Sequence, residues 1–209
     1  MRHFKAPLKI TRSLEITDAI LTGSSVPESE HAAYSAGTNY AKGDRRIYQH
    51  AIYESLQADN LGKNPVDESG VWWGFVSPTN RWAPFDLSPT TRLQLSAPQW
   101  YEFTASSSLS KLGFVKCDGI AAVRVVITTA GVVTHDKTYT LKARLASASW
   151  HAWYYQRRAP GTGLVVSDLP IRVGSIVRVE ITPSDAGGSI GTILIGRLYQ
   201  IGVGVRWGV

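Results

Sequence analysis

Apolar and polar residues alternate along much of the second half of the chain. Ala121-Ala122-Val123-Arg124-Val125-Val126-Ile127, Thr138 through Leu145 and Ile176 through Ile181 each run with a period of two, and Gly191 through Leu198 does so more weakly. Successive side chains of a strand point to opposite faces, so this period predicts strands with one face in a core. Thr129-Ala130-Gly131-Val132 and Ser184-Asp185-Ala186-Gly187-Gly188 supply the turns between them. Short strands joined by turns, with no helical period between, predict an all-β fold in which residues 88–209 form an antiparallel, jelly-roll-like β-sandwich. Residues 88–100 read as a linker or as the edge strand that enters it.

The first half is patterned differently. Residues 34–87 read as a compact unit punctuated by turns. Ala41-Lys42-Gly43-Asp44 is a turn, Arg46-Ile47-Tyr48 and Ile52-Tyr53-Glu54-Ser55-Leu56 are strand-like, and Asn60 through Pro65 is a loop by composition. The unit closes at Val71-Trp72-Trp73-Gly74-Phe75-Val76. About fifty residues enclose only a marginal core, so several of its aromatics must be structural. Residues 1–33 read as an extended N-terminal arm. Asp18-Ala19-Ile20-Leu21 is a brief apolar patch, broken at once by Gly23-Ser24-Ser25-Val26-Pro27. An arm with so little hydrophobicity of its own is expected to lie against another surface, with Ile16, Ile20 and Leu21 as the partner-binding residues.

Composition narrows the class. Of 209 residues 44% are hydrophobic and 18% charged, which argues against a disordered tail or a coiled coil. One cysteine, Cys117, leaves no internal disulfide framework and no Cys-rich zinc site. The N-terminus has no apolar signal stretch and no run reaches the length of a membrane span, so a soluble protein made in a reducing compartment is expected, with no membrane insertion. Charge is uneven. Residues 1–90 hold nine Lys/Arg against ten Asp/Glu, whereas residues 91–209 hold thirteen against six. The positive field of the second half suits an acidic partner, and by itself does not say which.

Local chemistry gives no enzyme. Gly187-Gly188-Ser189-Ile190-Gly191 matches the nucleophile-elbow spacing, but no Asp, Glu or His follows Ser189, so it reads as a glycine turn between strands. His3, His31, His50, His135 and His151 show no metal-ligand spacing, and the Asp59–Asn64 loop lacks the carboxylates of a calcium loop. No phosphate-cradling glycine loop is present. No catalytic residue, metal or cofactor is therefore assigned. Trp150-His151-Ala152-Trp153-Tyr154-Tyr155-Gln156-Arg157-Arg158 interleaves rings with cations, which would suit single-stranded nucleic acid. A strand with one aromatic face in the core and a basic loop at its end is the favoured reading. Nucleic acid is accordingly not taken as a partner, and Arg157 and Arg158 are expected to meet an acidic protein.

The aromatic unit carries the most information. Tyr34, Tyr40, Tyr48, Tyr53, Trp72, Trp73 and Trp82 fall within fifty residues. Rings fixed on a small scaffold either fill its core or offer flat apolar faces to sugars. The order Tyr34-Ser35-Ala36-Gly37-Thr38-Asn39-Tyr40-Ala41-Lys42-Gly43-Asp44, then Tyr48, Ile52 through Leu56, Asn60, Gly62, Asn64-Pro65 and Trp72-Trp73, resembles the small chitin- and cellulose-binding modules of the family 5/12 type. That resemblance implies a three-stranded β unit, with Gly43-Asp44 and Tyr53 as scaffold and Tyr34, Trp72 and Trp73 as carbohydrate-binding residues. Two features depart from the pattern: Tyr34 stands where Trp is usual, and Gln49-His50-Ala51 replaces an Asn-Gly hairpin.

A second resemblance spans most of the chain. Ile16-Thr17-Asp18-Ala19, Ser24 through Glu28, the module and then Pro78-Thr79-Asn80-Arg81-Trp82-Ala83-Pro84-Phe85-Asp86 are similar to a group of tailed-phage virion proteins. Gly119-Ile120-Ala121, Leu169-Pro170 and Gly191 through Gly196 also fit that group. It implies a structural protein of the tail, attaching or bracing a fibre, tip or baseplate, and assembled in the host bacterial cytoplasm. Its partners would be other tail proteins and sister subunits, with the arm as tether and the module reaching host-surface polysaccharide. Asn80, Arg81, Trp82 and Asp86 would form the joint between module and sandwich, Trp82 filling the seam and Arg81 pairing with Asp86 or a backbone carbonyl. The rival reading is a free carbohydrate-binding protein whose partner is polysaccharide alone.

Overall fold

The computed structural model describes residues 9–86, 88, 90–141, 164–166 and 168–199. The strands in chain order are β1 (Lys9–Ser13), β2 (Leu21–Ser24), β3 (Asn39–Tyr40), β4 (Arg45–Tyr48), β5 (Ala51–Ser55), β6 (Asn60–Leu61), β7 (Trp73–Pro78), β8 (Leu93–Leu95), β9 (Gln99–Thr104), β10 (Lys111–Asp118), β11 (Ile120–Thr129), β12 (Val132–Thr140), β13 (Leu164–Val166), β14 (Ile176–Pro183) and β15 (Gly188–Tyr199). A short 3-10 helix, Ala83–Phe85, is the sole helical element among the described residues.

Two five-stranded antiparallel sheets make the sandwich. One runs β1-β15-β10-β13 with β8 added on β15, and the other runs β12-β11-β14-β9-β2. The period-two runs at 121–127, 176–181 and 191–198 lie in β11, β14 and β15, with Val123, Val125, Ile127, Val177, Val179 and Ile181 turned inward and buried. Leu112, Phe114, Ile193 and Ile195 face them from the other sheet, in a single core that also holds Tyr101 and Phe103. Each fully buried aliphatic contributes about 1.5–3 kcal/mol, so this aliphatic sheet-on-sheet layer is the main source of stability. The outer face of the second sheet is charged. Arg124 bonds Asp136 at 2.7 Å on one side and Glu180 at 3.1 Å on the other, and its hydrogen bond holds the Asp136 carboxyl below the ordinary carboxylate range.

The Thr129–Val132 turn is the β11–β12 hairpin, with Ala130 and Gly131 both at positive φ. Of the alternating run at 138–145, residues 138–140 belong to β12 and residues 142–145 lie outside the described residues. Residues 88–100, read as linker or edge strand, contribute β8, which pairs with Gly188–Ile190 at the start of β15.

The N-terminal segment corrects the expectation of a tether. From residue 9 to Val26 it belongs to the chain's own sandwich: β1 pairs with β15 at the edge of one sheet and β2 pairs with β9 at the edge of the other. Ile16, Ile20 and Leu21, expected to bind a partner, pack against the sandwich core, and Val26 lies fully inside it. The physical reason is edge pairing. Four- and five-residue strands with weak alternation gain their hydrogen bonds from strands remote in sequence, so their own pattern says little.

The aromatic unit is an insertion between β2 and β8. It consists of the antiparallel sheet β4-β5-β7 and the two-residue ladder β3-β6. Its core is three buried rings, Tyr40, Tyr53 and Trp73, with Tyr34, Tyr48, Ala51 and Trp72 packed around them.

Candidate functional site

Rings pack edge to face in the module. Trp73 meets Tyr40 at 5.2 Å and 69° and Tyr34 at 5.8 Å and 88°, and Tyr34 meets Tyr48 at 5.5 Å and 79°. The polar ends of these rings tie down loops. Trp73 Nε1 donates to the Lys63 carbonyl at 2.8 Å, the Tyr40 hydroxyl donates to the Ser35 carbonyl at 3.0 Å, and Asn64 donates to the Tyr48 hydroxyl at 2.8 Å. Unlike an aliphatic core, such a cluster supplies both apolar burial and fixed hydrogen bonds from few residues.

That arrangement revises the three carbohydrate-binding residues inferred from the sequence. Trp73 is 0% exposed and cannot stack on a sugar without unfolding the unit. Tyr34 is held among Tyr40, Tyr48 and Trp73, and burial first, then those two tyrosines, push its phenol above its ordinary value. Trp72 is half-buried, with Lys63 Nζ 5.2 Å from its ring centre and Glu68 3.7 Å from that ammonium. A cation over an exposed ring contributes only about 0.5–1 kcal/mol, so Lys63 can swing aside at little cost. Ring, ammonium and carboxylate then stand together, which is the equipment for an apolar sugar face and its hydroxyls.

Sequence reading passed over Phe75. It is 60% exposed and is the one exposed aromatic among the residues whose burial is described. On β7 it sits opposite Tyr53, whose ring meets it at 6.0 Å and 78°. A signal was available: Phe75 is two residues beyond Trp73 and therefore on the same face of β7. The core ends at Tyr53, so that face carries one ring into the core and the next into water.

The joint is built around Glu28, whose side chain is 14% exposed. Its carboxylate accepts from Thr79 Oγ1 at 2.6 Å and from Arg81 at 2.9 Å, and lies 3.0 Å from His50 Nδ1. Arg81 also donates to the Val26 carbonyl at 2.7 Å, and its partners are therefore Glu28 and that carbonyl rather than Asp86. Asp86 instead accepts from Ser88 N at 2.8 Å and Thr91 Oγ1 at 2.5 Å. Asn80 exchanges two hydrogen bonds with the backbone of Gln94, at 2.7 and 3.0 Å, so its side chain extends the β8 edge. Its backbone N–H donates to Glu30.

Trp82 stands in the seam. Its ring lies 4.5 Å from His50 on the module side and 6.1 Å from Phe85, which in turn packs on Tyr101 and Phe103 of the sandwich. The indole N–H of Trp82 is buried without a partner among the described residues. The departure Gln49-His50 becomes intelligible here. Both residues take the positive φ of a tight hairpin, 46° and 65°, that favours Asn-Gly. Contacts of His50 with Glu28, with Asp18 at 2.8 Å and with Trp82 offset that strain.

The remaining sequence candidates stand apart from this surface. Ser189 lies within β15, so the turn read at Gly187–Gly191 closes at Gly187 and the residues from Gly188 onward are strand. The Trp150–Arg158 segment, with Arg157 and Arg158, lies outside the described residues.

No protein-family model and no curated protein matches the sequence, so neither resemblance named above gains support there. Among solved structures, two are similar to parts of this chain. One is the module CpGH89CBM32-5 from Clostridium perfringens in complex with GalNAc-β-1,3-galactose, with a TM-score of 0.36, 9% identity, and coverage of 55% of this chain and 81% of that one. The other is TmCBM61 in complex with β-1,4-galactotriose, with a TM-score of 0.31, 11% identity, and coverage of 57% and 78%. Both structures hold a bound carbohydrate.

Proposed function

We propose that this protein is a non-catalytic carbohydrate-binding protein whose module meets polysaccharide through the rim of its closing strand. The observation that carries the reading is Phe75: an aromatic ring 60% exposed on a hydrogen-bonded strand, fixed edge-on by Tyr53. Removing such a ring from water against the C–H face of a sugar gains binding energy without ordering the protein first. Trp72, just before β7 and with Lys63 and Glu68 beside it, offers a second ring on the module and polar groups for hydroxyls. The rival role in a phage tail, implied by the second resemblance, would use the N-terminal arm as a tether, and β1 and β2 of that arm pair with the chain's own sandwich.

The test is retention on insoluble cellulose, chitin and galactan, comparing wild type with the double variant Phe75→Ala/Trp72→Ala. Wild type should be retained on at least one polymer, and the double variant should pass through while melting as a folded protein. Failure of the folded wild type to be retained, or undiminished retention of the double variant, overturns the reading and directs the search to protein neighbours.

A further inference from the structure

A separate cleft, whose lining includes neither Phe75 nor Trp72, opens on the sandwich. Three backbone segments converge there: the end of β8 at Gln94-Leu95 with Ser96 beyond it, the β10–β11 turn at Asp118-Gly119, and the β14–β15 turn at Asp185–Gly188. The cleft is open to solvent and has a volume of about 670 Å³. Small-molecule sites span roughly 300–1,000 Å³, so it has room for a mono- or disaccharide.

Its floor is bare backbone. Gly119 and Gly187 take positive φ, 62° and 83°, and a Cβ on Gly188 would stand 2.4 Å from the Gly119 carbonyl oxygen. The turns meet there with no side chain between them. The rim is polar and largely unspent. Among the described residues the Asp185 carboxylate, the Gln94 amide group and the Ser96 hydroxyl make no hydrogen bond or ion pair. One oxygen of Asp118 pairs with Arg92, which also reaches Ser189 Oγ at 3.4 Å. That bridge fixes the Asp118 side chain and leaves its second oxygen open.

Charge and shape choose the ligand class. Two carboxylates against one guanidinium disfavour phosphates, sulfated glycans and uronic acids. No aromatic ring lines the cleft, and Leu95 is its largest apolar residue, which disfavours flat or lipid-like ligands. What remains suited is a neutral molecule rich in hydroxyl donors, since a carboxylate accepts from vicinal hydroxyls and the Gln94 amide can donate in return. We infer that this cleft is a second saccharide site, taking the end unit of a neutral glycan or a free neutral sugar, distinct from the polymer-binding rim of the module. The inference takes from the preceding section that the protein recognises carbohydrate, and adds where short ligands bind.

The experiment titrates the full chain with D-galactose, D-glucose, N-acetylglucosamine and lactose, followed by ligand-observed NMR and calorimetry. Wild type, Asp185→Ala, Asp118→Asn and Phe75→Ala are compared. Asp185 sits on an exposed turn with no internal partner, so its variant keeps the fold. At least one of these sugars should bind saturably, and both cleft variants should weaken it about tenfold or more, while Phe75→Ala leaves it unchanged. No saturable binding by wild type, or equal affinity in both cleft variants, overturns the inference. Polysaccharide retention is read separately: its loss in Phe75→Ala/Trp72→Ala concerns the module alone, so the two readings fail independently.

Discussion

The sandwich and the module solve the same problem with different side chains. The sandwich buries Val, Ile and Leu between two five-stranded sheets, with Tyr101 and Phe103 at one end. The module has one three-stranded sheet, a two-residue ladder and three fully enclosed rings. A layer of aliphatics needs a second sheet to cover it, which some forty-five residues cannot supply. Large rings fill the volume instead, and their N–H and O–H groups fasten loops that no ladder holds. The lesson is that aromatic richness in a small unit is first an architectural fact. Binding has to be sought among the rings the core leaves over, Phe75 and Trp72.

The sharpest way to break the comparison is to remove the central ring of each core. Phe103→Ala and Trp73→Ala should each cost about 3–5 kcal/mol. The first should lower the main thermal transition. The second should unfold the module while the sandwich still melts cooperatively, seen as early proteolysis confined to residues 34–78. Simultaneous loss of both regions in Trp73→Ala would show that they fold as one unit.

Glu28→Ala should come next, at about 2–3 kcal/mol, because it strips a charged acceptor from Thr79, Arg81 and His50 together. The expected readout is independent tumbling of the module by NMR relaxation, with both cores intact. Unchanged relaxation would place the coupling in the Trp82 contacts instead.

Alkaline pH separates the regions more gently. Burial pushes the Cys117 thiol up to about 12, and burial also raises the Tyr101 phenol, both in the sandwich. An unfolded thiol ionises near 9 while the folded one stays neutral, so the unfolded state loses protons first and stability falls as pH rises from about 9 towards 12. Below pH 9 the thiol contribution is fully present. Denaturant melts of wild type and Cys117→Ala should converge in pH dependence below 9 and diverge above it, and native Cys117 should stay unreactive to thiol reagents at neutral pH.

The smallest effect on stability, and a decisive one for function, belongs to Phe75→Ala. Loss of a ring so exposed should shift stability by less than about 0.5–1 kcal/mol while polysaccharide retention falls. A large drop in melting temperature would make Phe75 a structural ring like Trp73.

Strand content and the β11–β12 and β14–β15 turns were legible from residue order, because period and turn chemistry act over a few residues. Three matters were not. Lys9–Ser13 and Leu21–Ser24 become strands through pairing with β15 and β9, partners about 190 and 80 residues away. Trp72, Trp73 and Phe75 lie within four positions, yet one is sealed, one half-covered and one exposed, and burial depends on where the sheet stops. Arg81 meets Glu28 rather than the nearby Asp86, because the chain returns from the module beside its own entry point. Local alternation determined which segments extend. Only the tertiary structure decided which edges they join and which rings reach water, since both depend on surfaces brought together by contacts remote in sequence.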